Sequence, residues 1–394
     1  MEKGLSTRLI HSGDGNFTKK LAQTPETMPI YLTSAFSFSD VSDMDAIYNQ
    51  ETDGYIYARM AAPNADAVSE ILVAADGGEK ALVFASGMAA ITTAVFALVS
   101  QGDHIVASRT LYGGTRDFFE NDLHRFGIEV SFVDMLTEDV RERVRADTKL
   151  IYTETISNPL MEVPDLEKLS NIAHDCNALL LVDNTFATQV VAKPLSLGAD
   201  AVLYSATKYL GGHSDIMGGA VVGSAGVVDK IKRFQTLYGA ILGSHDCWLL
   251  ARSLRTLELR ARAHSENAMR VALFLENHPQ VEKTFYPGLV SSPSHERAKR
   301  QFENRLYGGM LSVDLKGGER AANALLSGFK TITFLPSLAG TATTVSWPAK
   351  SSHRFYSRDE RLKIGVTDGQ LRFSIGLENV EDIVSEIDAA LENL

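Results

Sequence analysis

Ala201-Val202-Leu203-Tyr204-Ser205-Ala206-Thr207-Lys208-Tyr209-Leu210-Gly211-Gly212-His213-Ser214 passes from an apolar strand straight into a turn rich in hydroxyls and glycine, with one lysine at its centre. A second run, Leu179-Leu180-Leu181-Val182, ends in the same manner, in Asp183-Asn184-Thr185-Phe186. Short strands that are apolar throughout are those buried on both faces, as in a parallel sheet covered by helices. Residues just beyond the carboxyl ends of such strands face the crevice in which α/β proteins hold their ligands. Lys208 and Asp183 are therefore expected to look into a common crevice.

Around these two runs, apolar strands alternate with amphipathic helices from residue 65 to about 223. The further candidate strands are 81–85, 104–108, 129–133, 150–153 and 219–222. This is the pattern of a mostly parallel sheet covered by helices, an α/β fold. Residues 227–276 read as helical, with Arg252, Arg255, Arg260 and Arg262 on exposed faces. A smaller α+β portion follows, with strands at 311–315, 332–335 and 371–375 and a closing helix at 380–394. Residues 1–62 lack sustained periodicity and carry aromatic clusters at 31–38 and 55–57; such an arm is expected to lie on another surface, that of a neighbouring subunit. The expected organisation is an arm (1–62), a large domain (63–253) and a small domain (254–394).

With 394 residues, 45% hydrophobic and 22% charged, the chain has material for two domains with substantial cores. A net charge of -11 without a basic run argues against nucleic acid as a partner. Cys176 and Cys247 have neither disulfide-framework nor zinc-site spacing, so no metal is expected and the compartment reads as reducing. Met1 to Ser6 lack the charged-then-apolar order of a signal peptide, which points to the cytoplasm. The most apolar stretch, 81–100, is interrupted by Ser86, Gly87, Thr92 and Thr93 and reads as strand, turn and helix rather than as a membrane span.

The chemistry follows from the two strand ends. A buried lysine loses part of its preference for the charged form, so its amine can attack an aldehyde near neutral pH. Pyridoxal phosphate needs such a lysine for its aldehyde carbon and a carboxylate to keep its ring nitrogen protonated. Alone, Lys208 would read as a solvated surface lysine and Asp183 as a cap or turn residue; together they favour the cofactor. Ser205 and Thr207 can hold its phosphate. The turn Ala85-Ser86-Gly87-Met88-Ala89-Ala90 leads from a strand into a helix whose free N–H groups suit an anion, although taken alone it is an ordinary turn with Ser86 as N-cap. No dinucleotide or triphosphate signature stands in the required context.

Further motifs extend the pattern: Tyr57-x-Arg59, Ser86-Gly87-Met88, Tyr112-Gly113-Gly114-Thr115, Ser157-Asn158-Pro159, Asp183-Asn184-Thr185-Phe186, Ser205-x-Thr207-Lys208-Tyr209, Gly212-His213-Ser214-Asp215, Pro336-Ser337-Leu338 and Arg372-x-Ser374-x-Gly376-x-Glu378. In this order, over nearly the whole length, the chain resembles the Cys/Met-metabolism group of fold-type-I pyridoxal phosphate enzymes, which includes cystathionine γ-lyase, methionine γ-lyase, cystathionine γ-synthase and O-acylhomoserine sulfhydrylases. The resemblance implies the fold-type-I transferase architecture. It implies that Lys208 carries the cofactor, Asp183 pairs with the ring nitrogen, and Tyr112 stacks on the ring and takes part in proton transfer. Gly87, Met88, Ser205 and Thr207 would bind the phosphate, with Tyr57 and Arg59 arriving from a neighbouring subunit of a homotetramer made of two tight dimers. Asn158 would lie near the ring hydroxyl, and Arg372 would clamp the substrate α-carboxylate, with Ser337 beside the substrate.

Departures from the family pattern narrow the substrate. Met60-Ala61-Ala62-Pro63-Asn64 stands where most members read Ser-Gly-Asn-Pro-Thr. Asp117 stands where the cystathionine enzymes usually carry arginine, and Ala342 where they carry a glutamate; Ile56 replaces an acid found in some lyases. A distal carboxylate would be repelled near Asp117. The expected reaction is therefore γ-elimination from an amino acid whose distal group is neutral, as in methionine, or cationic and met by Asp117, as in canavanine. Asp117 serves equally well as the cap of a helix over 118–126. The alternative reaction is γ-replacement, in which a thiol or sulfide displaces the acyl group of an O-acylated homoserine.

Overall fold

A computed structural model describes residues 3–13, 25–354 and 356–394; residues 1, 2 and 14–24 of the expected arm lie outside the described residues. Seven strands form the larger sheet: β1 (Lys80–Phe84), β2 (His104–Ser108), β3 (Glu129–Val133), β4 (Thr148–Glu154), β5 (Leu179–Asp183), β6 (Ala201–Tyr204) and β7 (Gly219–Gly223). Their order is β1-β7-β6-β5-β4-β2-β3. Neighbours from β6 through β3 run parallel, and β7 lies antiparallel to both β1 and β6. The wholly apolar strands are buried on two sides. Ile151, Leu180, Val182 and Val202 fill the core on one face, while Leu150, Tyr152, Leu181 and Leu203 fill the core on the other. Alternate side chains of a strand point to opposite faces, so each strand draws on two cores. Each such side chain contributes about 1.5–3 kcal/mol by leaving water.

Helices join these strands. Pro63–Asp76 starts with proline in its first turn and stops at Gly77, whose φ of 80° suits a residue without a Cβ. Gly87–Leu98 is capped by Ser86, whose hydroxyl accepts the Ala89 N–H.

The smaller sheet contains β8 (Val281–Phe285), β9 (Met310–Leu315), β10 (Thr333–Phe334), β11 (Thr344–Ser346) and β12 (Gln370–Ser374), in the order β10-β11-β12-β9-β8. Helix Val380–Leu391 packs with Leu257–Glu276 and Gly318–Gly328. Strands β8 and β11 are not foreseen from the sequence. β8 is an edge strand that exposes Glu282 and Lys283, and β11 is only three residues long.

Two expectations need correction. The helical region splits into Ala225–Tyr238, Ser244–Leu254 and Leu257–Glu276, with the first break at Gly239, where φ is 73°. Arg260 is buried rather than exposed. Its guanidinium donates to the carbonyls of Tyr209 and Ser253, each at 2.8 Å, so it braces the loop that follows Lys208. The described part of the arm is also anchored on its own chain. Leu9 in helix Leu5–His11 is fully buried in the core, Trp248 Nε1 donates to the Met28 carbonyl at 3.0 Å, and the Asn64 amide bridges the backbones of Pro29 and Tyr31. Among the described residues, no helix is long and apolar enough to cross a membrane.

Candidate active site

A cavity of about 810 Å³ opens at the carboxyl ends of β4, β5 and β6. The 86–88 turn, Tyr112, Glu154, Asp183 and the 205–208 turn form its floor, and Phe334, Pro336, Leu338 and Arg372 bring the smaller sheet's side to it. The sheet register explains the floor: parallel pairing sets Glu154 on β4 opposite Asp183 on β5, so the two carboxylates end adjacent strands side by side.

Lys208 lies on this wall, and its Nζ donates to Ser337 Oγ at 3.0 Å. Burial, helped by the nearby Arg372 charge, lowers its pKa, which raises the fraction of free amine at neutral pH. Asp183 is buried and accepts the Thr185 N–H at 3.0 Å. The Thr185 hydroxyl in turn accepts the Ser205 N–H at 2.8 Å, so one threonine links the ends of β5 and β6. Burial raises the Asp183 pKa while the Thr185 bonds oppose it.

At the start of helix Gly87–Leu98, the Ser86 hydroxyl occupies the Ala89 N–H and leaves the first N–H groups, those of Gly87 and Met88, turned away from intrahelical bonding. A Cβ on Gly87 would come within 2.8 Å of Ser205 Cβ, so only glycine lets the helix end meet the 205–208 turn. Thr207 lines the cavity with its hydroxyl accepting the Gly218 N–H at 3.0 Å.

Arg372, on β12, is buried with its Nη1 donating to Asn158 Oδ1 at 2.8 Å, while its Nε has no partner. Burial lowers its pKa to about 10. A buried cation with an unpaired donor calls for an anion. Tyr112 is half exposed at the cavity. Its ring folds back close to Gly114, where a Cβ would lie 2.7 Å from Tyr112 Cε1.

Not every expected residue reaches the cavity. Tyr57 and Arg59 lie off its lining; Arg59 donates to the Thr236 carbonyl at 2.6 Å and its guanidinium lies 5.6 Å from the Tyr57 ring centroid. Asp117 is exposed, is absent from the cavity wall, and accepts an Asn121 amide bond at 2.7 Å. It does not cap the following turns either, because the helix Gly113–Asp117 continues through it without a side-chain cap. The cationic-substrate expectation that rested on Asp117 thus has no support in this geometry. Ala342 is exposed and also off the wall.

Conversely, Glu154 belongs to the floor although the sequence reading passed over it. It is buried and accepts the Tyr112 N–H at 2.5 Å. Met217, Phe334, Lys350 and Arg354 form an exposed rim that no motif announced.

The residues fit pyridoxal phosphate. Free helix N–H groups beside Ser205 suit its phosphate, a buried carboxylate suits its ring nitrogen, and a free amine suits its aldehyde.

A family model described as "Cys/Met metabolism PLP-dependent enzyme" matches residues 6–392. An L-methionine gamma-lyase of Fusobacterium nucleatum subsp. polymorphum is 40% identical, covering 99% of this chain and 98% of that protein. A cystathionine gamma-lyase of Bacillus subtilis is 42% identical, covering 98% and 99%. The crystal structure of a cystathionine gamma-lyase from Lactobacillus plantarum, complexed with L-serine, matches with a TM-score of 0.91 at 34% identity over 99% of both chains.

Proposed function

This chain belongs to the Cys/Met-metabolism PLP-dependent enzymes, and from that premise we propose that it catalyses γ-elimination on an L-amino acid whose Cγ carries a neutral group. Methionine is the simplest such substrate; with water it gives 2-oxobutanoate, ammonia and methanethiol. One observation carries the reading: Lys208, Asp183 and Arg372 open on a single cavity whose wall includes an apolar stretch from Ile156, Phe186, Pro336 and Leu338. The relatives named as L-methionine gamma-lyases support the same reaction class.

Pyridoxal phosphate, when bound, supplies the electron sink that stabilises negative charge at Cα and then at Cβ. Arg372 holds the substrate α-carboxylate through its unpaired Nε donor, fixing Cα over the floor. The Lys208 amine, with its lowered pKa, removes the Cα proton. Asp183 would keep the ring nitrogen of the bound cofactor protonated. Gly87, Met88, Ser205 and Thr207 would hold its phosphate, and Asn158 would stand by its ring hydroxyl. Tyr112 moves a proton to or from the reacting carbons and the departing sulfur, and Ser337 orients Lys208 Nζ. The apolar wall shields the leaving group from water.

In the same reading, residues 63–253 form the cofactor-binding large domain and 254–394 the small domain. Tyr57 and Arg59 of the 1–62 arm complete a neighbouring subunit's site within a homotetramer, and the enzyme works in the cytoplasm. The test is keto-acid release from cofactor-loaded protein against methionine, homocysteine, cystathionine, canavanine and O-acetylhomoserine, each with and without thiol. Thiol-independent turnover of methionine or homocysteine is the expected result. Activity restricted to O-acetylhomoserine plus thiol would replace this reading with γ-replacement.

A further inference from the structure

Glu154 sits where three parts of the active site meet. It ends β4 directly beside Asp183 on β5. Its carboxyl group accepts the Tyr112 N–H at 2.5 Å, and the Asn158 backbone lies near enough to favour its charged form. Asn158 in turn accepts Arg372 Nη1 at 2.8 Å. The turn that presents the Tyr112 ring is thus fastened to one buried side chain, and the turn that presents the Asn158 amide lies beside it. The chemistry proposed above gives Glu154 no proton to move.

We propose that Glu154 is a positioning residue: its carboxyl oxygens hold the Tyr112 and Asn158 backbones, and through them set where the Tyr112 ring and the Arg372 guanidinium stand over the cofactor. Two buried carboxylates on adjacent strands repel, and one proton between them relieves the repulsion. Asp183 accepts the Thr185 N–H at 3.0 Å, a bond that favours its charged form. Burial, then the Asp183 charge, push the Glu154 carboxyl well above the usual range, the direction that favours its neutral form. A neutral acceptor of the same length should serve nearly as well.

The inference rests on the Tyr112 role given above, and the test separates the two. Glu154→Leu, which removes the acceptor, should lower kcat with methionine about 100-fold, the scale of a misplacement of about 1 Å. It should also weaken the visible circular dichroism of the bound cofactor, which reports ring environment. Glu154→Gln should stay within about 5-fold in kcat and keep that signal, because its carbonyl still accepts an N–H. If Glu154→Leu does not fold, Glu154→Asp, with its acceptor withdrawn by one methylene, should show the same pattern in weaker form. Adding Tyr112→Phe to Glu154→Leu should cost less than about 2-fold more, since coupled residues are not additive. Normal kcat and dichroism in Glu154→Leu, a Glu154→Gln as impaired as Glu154→Leu, or additive losses in the double variant would each overturn the inference. Full activity in Tyr112→Phe alone would instead overturn the role of Tyr112.

Discussion

The floor of the cavity and its rim are built on different principles. On the floor, Glu154, Asp183 and the turn bearing Lys208 end three adjacent strands of a sheet that is buried on both faces, and hydrogen bonds through Thr185, Asn158 and Ser337 tie them together. On the rim, Met217, Phe334 and Arg354 are exposed, and Lys350 is held by an exposed ion pair with Glu319 at 2.7 Å. Exposed pairs of that kind contribute about 0–1 kcal/mol. Groups that move protons need fixed positions and a dry setting, which strand ends supply. Groups that choose among leaving groups can sit on loops, which vary without disturbing the chemistry.

Breaking the floor should cost most. Lys208→Ala should reduce kcat at least about 1,000-fold, measured as keto-acid release, because in the proposed mechanism it removes the base as well as the cofactor anchor. Arg372→Leu comes next, with a loss in kcat/KM of about 100-fold or more, since in the proposed mechanism the substrate carboxylate loses a desolvated partner.

A smaller effect lies beneath the floor. Tyr204 on β6 donates to the buried Asp76 carboxylate and accepts from Asn184 at 3.1 Å. Burial pushes the Asp76 pKa up to about 7 from an ordinary 3.8. Between those values the folded chain holds a proton that the unfolded chain releases, so this group's contribution to stability falls as pH rises through the window, by about 1.4 kcal/mol per unit. Asp76→Asn keeps an acceptor for Tyr204 and cannot ionise. Its gain in Tm should be about 3 °C greater at pH 8 than at pH 5, and a gain independent of pH would contradict the assignment.

Two buried rings act with the opposite sign. Burial lowers His264 and His353 to about 4, so their contribution is present above about 6.5 and is lost as pH falls from there toward 4. Denaturation midpoints of the full chain should therefore drop on acidification through that range. The smallest effect belongs outside the cavity. Asp117→Asn should leave kcat/KM for methionine and for canavanine unchanged, and a selective loss with canavanine would restore a distal role for Asp117.

The same contrast decides what can be read from the sequence. Strand β2 falls on the expected residues because its alternate side chains supply two cores, and that leaves an unbroken apolar run between polar turns. Lys208 and Asp183 are legible as strand-end residues. The same rule applied to β4 would have found Glu154, which follows Leu150-Ile151-Tyr152-Thr153 just as Asp183 follows Leu179-Leu180-Leu181-Val182. Arg260 shows the limit of pattern reading, since the carbonyl oxygens that receive its guanidinium come from residues about fifty positions away and from a helix end. Asp117 shows another, because a motif position does not settle which way a helix turns its side chains. The rim joins residues near 217, 334 and 350, and that proximity exists only once the two sheets have packed.

The most direct test of the account is borohydride reduction of the cofactor-loaded protein followed by peptide mapping. The account predicts the pyridoxyl label on the peptide that contains Lys208 and no label at that site in Lys208→Ala. A stoichiometric label on another lysine, with Lys208 unmodified, would contradict it.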